Sequence, residues 1–563
     1  MNAALRPYST SGVLVLTALL TACASSPPAA VEVNLAVFND FHGYLQPARL
    51  TYRDPTAPEG NRTLEAGGIE VLGGVIDHLR QQDSQLLVVA SGDLIGGSPP
   101  ISSLWADEPT IEAMNLLGLQ LSAVGNHELD NGKDELLRII NGGCHSNRPQ
   151  KACTFHPDYR GTRFPYLAAN LIDNQTGKPL LPAYHILEAH GQKIAFVGAV
   201  LKDVATIVSP DGIKGLSVQD EADAINAQVP ALKAQGIEAI VAVIHQGGET
   251  EEAYNNPDCQ HLQGPIVNIA ARLDPAVDII ASAHTHQSYT CHLGNRLIFQ
   301  GGSYGQFISH VQLGIDSRTH DIVFAKSENL VVDAGRYSPN ARLAALRQEV
   351  ERRSQAVLQR TIARLAVPLV SRAADPNGES ALGDLIADAQ LHATRTQGAQ
   401  IAFMNSGGIR SDLTIEPGQA TLTYAQLAAN QPFGNTLTLL TLTGAQLYQL
   451  LEQQWGDEGS ANVMQVSEGF SYRWNPIGKS GQKIVSGSLR LKDQPIQLDQ
   501  DYRLVTNNFM AQGGDGLSVF KEARQVQDTG IIDVEALEQY LIDKDQAGNP
   551  AGRALPAGRI QRL

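Results

Sequence analysis

The chain has 563 residues, 43% of them hydrophobic and 18% charged, and a formal net charge of −16 at pH 7. That length exceeds what one hydrophobic core supports, so roughly two to four domains are expected, and the composition excludes a disordered or fibrous chain. The acidic balance argues against binding a nucleic-acid polymer, whose backbone would be repelled overall, although a local cluster of cations can reverse the field in one cleft.

At the N-terminus, Arg6 precedes an apolar run, Val13 to Leu20, which is too short to act as a stop-transfer helix. The run ends in Leu20-Thr21-Ala22-Cys23, and small residues before a cleavage point are what a signal peptidase accepts. The tetrapeptide resembles a bacterial lipobox, in which the cysteine is lipidated and becomes the mature N-terminus. An ordinary signal peptide cleaved nearby is the alternative. Residues 1–22 are therefore expected to be a leader and 23–30 a tether. The product would be lipid-anchored in the bacterial cell envelope, facing the periplasm or the exterior, and would meet the membrane only through that anchor.

Setting Cys23 aside leaves Cys144, Cys153, Cys259 and Cys291. Export implies an oxidising compartment and two disulfides, with three connectivities open. Cys144–Cys153, closing a polar excursion, and Cys259–Cys291, flanking the His284 segment, are the favoured pairs. A cysteine-rich zinc site is the rival, but no CxxC spacing supports it.

Between Val31 and about Phe324, apolar runs recur at Val33–Phe38, Leu86–Ala90, Leu121–Val124, Ile194–Val200, Ala239–Ile244 and Val277–Ser282. Continuous runs of this kind predict strands buried on both faces, in a layered α/β domain at about 31–335. Most are followed at once by a loop dense in Asp, Asn, His and Gly, and ligands of open α/β folds bind at the carboxyl ends of strands. Ser338-Pro339 then predicts a helix start, and Leu343, Leu346, Val350 and Val357 recur at helical spacing. A polar linking helix is expected within 336–360. From 361 to 563, helices at Ala381–Ala393 and Gly444–Gln453 and a strand at Tyr502–Thr506 indicate a second, smaller α/β or α+β domain.

The loops that follow the strands read Asn39-Asp40-Phe41-His42-Gly43, Ser91-Gly92-Asp93, Gly125-Asn126-His127-Glu128, Ile244-His245-Gln246-Gly247-Gly248 and Ala283-His284-Thr285-His286. Asp40 and His42, like His284 and His286, are two residues apart and can point to one side of an extended segment. Carboxylate, amide and imidazole together suit borderline divalent metals such as zinc or manganese. Singly, each is weak: a lone buried histidine is more often a core residue, and an Asp after a strand is often a helix cap. Their ordered recurrence after successive strands carries the signal.

That order, DxH, GD, GNHE, H and HxH, resembles the calcineurin-like metallophosphoesterases. With GNHELD and a second domain, it is similar to the 5′-nucleotidase family, which includes periplasmic nucleotidases and UDP-sugar hydrolases. The resemblance implies a β-sandwich flanked by helices, joined by the linking helix to a nucleotide-binding domain, and two divalent metal ions. It assigns Asp40, His42, Asp93 and His286 to one metal. Asp93 would bridge to a second, completed by Asn126, His245 and His284. His286 stands where some relatives have Gln. His127 would stabilise the transferring phosphoryl group or protonate the leaving oxygen, with Asp130 orienting it; their spacing is one helical turn. Asp130 as a helix N-terminal carboxylate is the alternative.

The second domain carries Asn405-Ser406-Gly407-Gly408-Ile409-Arg410, Pro432-Phe433-Gly434 and Asn508-Phe509, followed by Gly513-Gly514-Asp515-Gly516. Arg410 is a suitable fork for phosphate, and Asp515 could accept from ribose hydroxyls. Spacing alone makes Phe433 and Phe509 core residues. The resemblance implies instead that they sandwich the base, with Asn405 on the nucleoside and Arg410 on the phosphate. Family members usually add further arginines ahead of the second-domain helix, where this chain reads Ser371-Arg372-Ala373-Ala374-Asp375-Pro376. That departure points toward diesters such as cyclic nucleotides, or pyrophosphates such as UDP-sugars and NAD. The expected function is hydrolysis of nucleotide phosphate esters by a metal-activated water. Two alternatives remain: a sulfur-compound hydrolase of the same superfamily, and a non-catalytic ligand-binding lipoprotein.

Overall fold

The computed structural model describes residues 30–563 except 55–56, 58–59, 209–210, 257–258, 260 and 456–461. The leader, Cys23 and nearly all of the tether lie outside the described residues. Among the described residues, no helix is long and apolar enough to cross a membrane.

In the first domain two six-stranded sheets face each other. In one, Ala30–Phe38, Leu87–Ala90, Leu121–Ala123 and Tyr166–Leu167 run parallel, and the hairpin Phe307–Asp316 and Ile322–Val331 extends the edge antiparallel. The other centres on parallel Gln192–Val200, Ala239–His245, Ile279–Ala281 and Arg296–Gly301, with Tyr184–Ala189 and Ser288–Leu293 antiparallel at its edges. Successive side chains of a strand point to opposite faces. Val33, Leu35 and Val37 accordingly join Phe196, Val241 and Val243 in the core between the sheets. Ala36 and Phe38 face outward onto the helix Ile69–Gln82. The second sheet is covered likewise by Glu221–Asn226 and Pro265–Arg272. Burial on both faces is why these strands read as unbroken apolar runs.

The linking helix spans Ala341–Leu358. It begins later than Ser338-Pro339 suggested: the Asn340 side chain accepts from the Arg342 and Leu343 amides, at 3.1 and 3.2 Å. Leu343, Leu346 and Val350 are buried against the first domain, but Val357 is 44% exposed and takes no part in that stripe. The Trp105 indole donates to Ser354 Oγ at 2.9 Å.

The second domain is built on a five-stranded mixed sheet, ordered Gln465–Val466, Ile401–Met404, Asp501–Asn507, Thr436–Thr443, Arg524–Ile532. Ala381–Thr394 and Asp533–Gln546 pack on one another beside it. Ser380 caps the first of these helices by accepting from the Gly383 amide. The domains touch where Val204–Ile207 meets Gly514–Gly516, and where Tyr424–Asn430 meets Pro100–Ser103 and the linking helix. Both expected disulfides form, Cys144–Cys153 and Cys259–Cys291.

Candidate metal centre and nucleotide cleft

The site lies where parallel strands end. Ala30–Phe38 leads to Asp40 and His42, Leu87–Ala90 to Asp93, and Leu121–Ala123 to Asn126; Ala239–His245 ends on His245, and Ile279–Ala281 leads to His284 and His286. The first three strands belong to one sheet and the last two to the other, so the cluster spans the mouth of the sandwich. Backbone hydrogen bonds tie the first two loops together: Asp40 N to Gly92 O at 3.0 Å and His42 N to Asp93 O at 2.9 Å. Asp40, His42, Asp93, His284 and His286 all have positive φ, between 48° and 73°. Non-glycine residues rarely adopt that conformation, and it costs on the order of 1 kcal/mol each unless the surroundings enforce it. At Gly125 a Cβ would collide with the Asp93 carboxylate, so only glycine lets these loops approach.

The donor atoms converge. Asp93 Oδ2 lies 3.1 Å from His245 Nε2 and 3.6 Å from His42 Nε2, and Asp40 Oδ1 lies 3.5 Å from His286 Nε2. Asn126 Oδ1 is 3.2 Å from His245 Nε2, and the Nε2 atoms of His42 and His286 are 3.1 Å apart. His42 Nδ1 and His245 Nδ1 each meet a backbone carbonyl, of Gly96 and Ser91, at 2.8 Å. Those carbonyls assign the proton to Nδ1 and leave the Nε2 lone pairs facing inward, the arrangement of metal-bound imidazole. Lone pairs and carboxylate oxygens so close repel one another unless positive charge sits among them, so the donor set fits divalent cations.

The electrostatics agree. Burial alone would raise Asp40, yet His286 and His245 hold its carboxyl at about 2. Burial opposes a charge on His245, yet Asp93 and Asp40 push it up to about 10, which marks a place where positive charge is favoured. His284 is depressed to about 4 by burial and by His245.

Two supporting residues carried no role in the sequence reading. Glu128 accepts from the amides of Asp93, Leu94 and Gly125, at 2.9, 2.8 and 2.7 Å, and so clamps two of the loops. Burial, then Asp93, raises its carboxyl to about 7. Asn39 accepts from Gly301 N at 2.9 Å and donates to Gly302 O and Asp40 Oδ2, both at 2.6 Å. Glu128 sits inside the quoted GNHE run, which was the available signal; Asn39 had none beyond its place beside Asp40.

His127 Nδ1 lies 2.8 Å from Asp130 Oδ2, across a short turn of helix at His127–Leu129. The backbone amide of His127 donates to Asp93 Oδ1 at 2.9 Å. Burial lowers the imidazole's affinity for a proton, but Asp130 and Asp93 outweigh it and the net shift is upward. With Nδ1 engaged, Nε2 makes no hydrogen bond among the described residues.

Beside the cluster lies a cavity of about 400 Å³, lined by Asn126, His127, Asp130 and His284 from the first domain and by Asn405, Arg410, Phe433, Phe509 and Asp515 from the second. Phe433 and Phe509 are half-buried cavity walls, which corrects the core assignment that spacing suggested. The Phe433 ring lies parallel to that of His127, with centroids 5.6 Å apart, and the Arg410 guanidinium is 5.8 Å from the Phe433 centroid. Phe509 packs on Gly514, where a Cβ would collide with its ring. Asn405 Nδ2 donates to Asp515 Oδ2 at 2.8 Å, and burial raises the Asp515 carboxyl. Arg372 lines a neighbouring cavity and donates to Ile409 O at 3.0 Å. Asp107, Arg148 and Lys151 also line the main cavity; no motif marked them.

Strand-end loops that gather carboxylates, imidazoles and an amide at the mouth of a two-sheet sandwich define a metallophosphoesterase-type site. The calcineurin-like phosphoesterase model matches residues 33–288, and the 5′-nucleotidase C-terminal domain model matches 361–522. The chain is 32% identical over 531 residues to endonuclease YhcR of Bacillus subtilis, a match covering 93% of this chain but only 40% of that protein's length. It is 30% identical to cell wall protein Lmo0130 of Listeria monocytogenes, covering 92% of this chain and 68% of the relative. In fold it is similar to a 5′-nucleotidase precursor from Thermus thermophilus, with a TM-score of 0.77 at 24% identity over 95% of this chain and 99% of the other. The chain belongs to the 5′-nucleotidase family, with a calcineurin-like phosphoesterase domain followed by the family's C-terminal domain.

Proposed function

We propose that this protein hydrolyses phosphate esters of nucleotides in the cleft between its domains. One observation carries the reading: Asn126 and His284 of the donor cluster, with His127, line the same cavity as the aromatic residues Phe433 and Phe509. Asp40, His42, Asp93 and His286 would hold one cation, and Asp93, Asn126, His245 and His284 the other, with zinc or manganese as the expected ions. When bound, the pair supplies Lewis acidity that activates water and neutralises phosphoryl charge.

The remaining work falls to the chain. Arg410 grips a phosphoryl oxygen, as a guanidinium fork is suited to do. His127, held by Asp130, offers Nε2–H to the transferring phosphoryl group or to the leaving oxygen. Phe433 and Phe509 take the faces of the base, Asp515 accepts from ribose hydroxyls, and Asn405 meets the nucleoside. A sulfur-compound substrate would have no use for that aromatic pair. A pure binding module would have no use for the complete donor set. The Leu20–Cys23 tetrapeptide supports anchoring by lipid at Cys23 in the cell envelope; absence of fatty-acyl label that depends on Cys23 would overturn that part alone.

The test is phosphate release by residues 24–563 from AMP, cyclic AMP, UDP-glucose and NAD, with zinc, manganese or chelator, and single-stranded DNA as a polymer control. Cation-dependent turnover of a nucleotide is expected. No turnover of any nucleotide with either ion would overturn the reading.

A further inference from the structure

One wall of the cleft belongs neither to the metal cluster nor to the second-domain motifs. It comes from the excursion closed by Cys144–Cys153, which carries Arg148 and Lys151 to the cavity. The excursion is held firmly. Ser146 Oγ donates to Glu135 Oε2 at 2.7 Å, Arg148 Nη2 to Glu135 Oε1 at 2.9 Å, and the Cys153 amide to Glu108 Oε1 at 2.9 Å. Glu108 and Glu135 are themselves buried and joined through Arg138, at 2.8 and 2.9 Å. Disulfide and buried ion network together fix where the two cations stand.

Their charges are not fully used. Arg148 Nη1 makes no hydrogen bond among the described residues and stands 3.9 Å from Asp107 Oδ2. Lys151 Nζ enters no ion pair or hydrogen bond among the described residues. Burial and the neighbouring Arg148 lower the Lys151 ammonium from its ordinary value, and Asp107 offsets this only in part. Adjacent cations in a partly dewatered wall repel each other, and an anion placed between them would relieve that repulsion. Arg410 faces the same cavity from the other domain; of the carboxylates that also line it, Asp130 is engaged by His127 and Asp515 by Asn405, which leaves Asp107 as the acidic group nearest the two cations.

We propose that Lys151 and Arg148 form a second anion subsite of the cleft, which receives an additional phosphate of substrates carrying a diphosphate, such as nucleoside diphosphates and nucleotide sugars. The proposal rests on the nucleotide reading above and narrows its substrate class. Lys151 makes the contact; Arg148 contributes Nη1 while Glu135 holds its other arm. A charge-assisted hydrogen bond of this kind is worth about 10- to 100-fold in affinity.

The test uses the metal-loaded full mature chain and the variants Lys151→Met, Lys151→Arg and Arg148→Gln, matched for thermal midpoint and disulfide content. The ratio of kcat/KM for UDP-glucose to that for AMP should fall about 10- to 100-fold in K151M, fall less in R148Q, and recover in K151R. An unchanged ratio in K151M would overturn the subsite while leaving the nucleotidase reading intact. Calorimetric titration with inorganic pyrophosphate separates the two failures. If the wild type turns over no nucleotide, pyrophosphate binding lost in K151M still upholds the subsite. Equal pyrophosphate binding by wild type and K151M overturns it.

Discussion

The candidate metal cluster and the aromatic wall proposed for the nucleotide meet at one cavity, which Asn126 and His284 reach from the cluster, but they are built in opposite ways. The cluster is almost wholly buried, with five of its residues in left-handed backbone and every loop laced to its neighbour by main-chain hydrogen bonds or by Glu128. The wall is less enclosed and less laced: Phe433 and Phe509 are half-buried, Phe433 stacking on His127 and Phe509 lying on Gly514, while the buried Asn405 donates to Asp515 and accepts from Asn507. Chemistry needs fixed donor positions, because charge develops at defined atoms. Recognition of a flat base needs area and polarizability, which tolerate looser placement. Substitutions should therefore separate the two regions by which kinetic constant they move.

The largest effect should come from the cluster. Asp93→Asn, or removal of divalent ions by chelator, is expected to lower kcat/KM by roughly 10³-fold or more. Metal content should fall with it in the variant, and re-addition of zinc or manganese should restore only the chelated wild type. Full activity in D93N would break the comparison at its root. Next, His127→Ala should cost about 10²- to 10⁴-fold in kcat while bound metal, read by elemental analysis, stays at the wild-type level. Loss of metal in H127A would make that imidazole a ligand.

On the wall, Phe433→Ala should raise KM roughly tenfold, as loss of base stacking does, with kcat moving far less. A fall in kcat equal to the rise in KM would place Phe433 with the chemistry, through its packing on His127. The smallest effect concerns the seam behind that wall, where the Asp533 amide donates to Asn435 O at 2.8 Å. Burial raises the Asp533 carboxyl to about 7, against hydrogen bonds from Val534 and Asn435 that favour its charge. A raised folded-state pKa means this group's contribution to stability is fully present below about pH 4 and is lost as pH rises through about 7. Asp533→Asn should therefore flatten the decline of wild-type stability between pH 4 and 8, by on the order of 1 kcal/mol in denaturant unfolding. Parallel pH profiles for the two proteins would remove Asp533 as the source.

The apolar runs and the residues after them determined the layered first domain and the cluster. Strands buried on both faces must be continuously apolar, and a donor set placed at strand ends leaves a short ordered pattern in the chain, from Asp40 to His286. The disulfide arithmetic also followed from the sequence, since two pairs are all that four cysteines can make. What only the tertiary structure decided has a longer range. Whether Phe433 is core or cleft depends on a domain meeting His127, some 300 residues earlier. The start of the linking helix depended on which side chain, Asn340 or Ser338, could reach the free amides. Lys151 reads as one more polar residue of an excursion; it becomes a cation facing the cavity only because Glu108 and Glu135 fix the loop that carries it. Local patterns record what a segment buries and which ligands it offers, whereas the partner across a cleft is set by how separate segments pack and leaves no periodic trace in either.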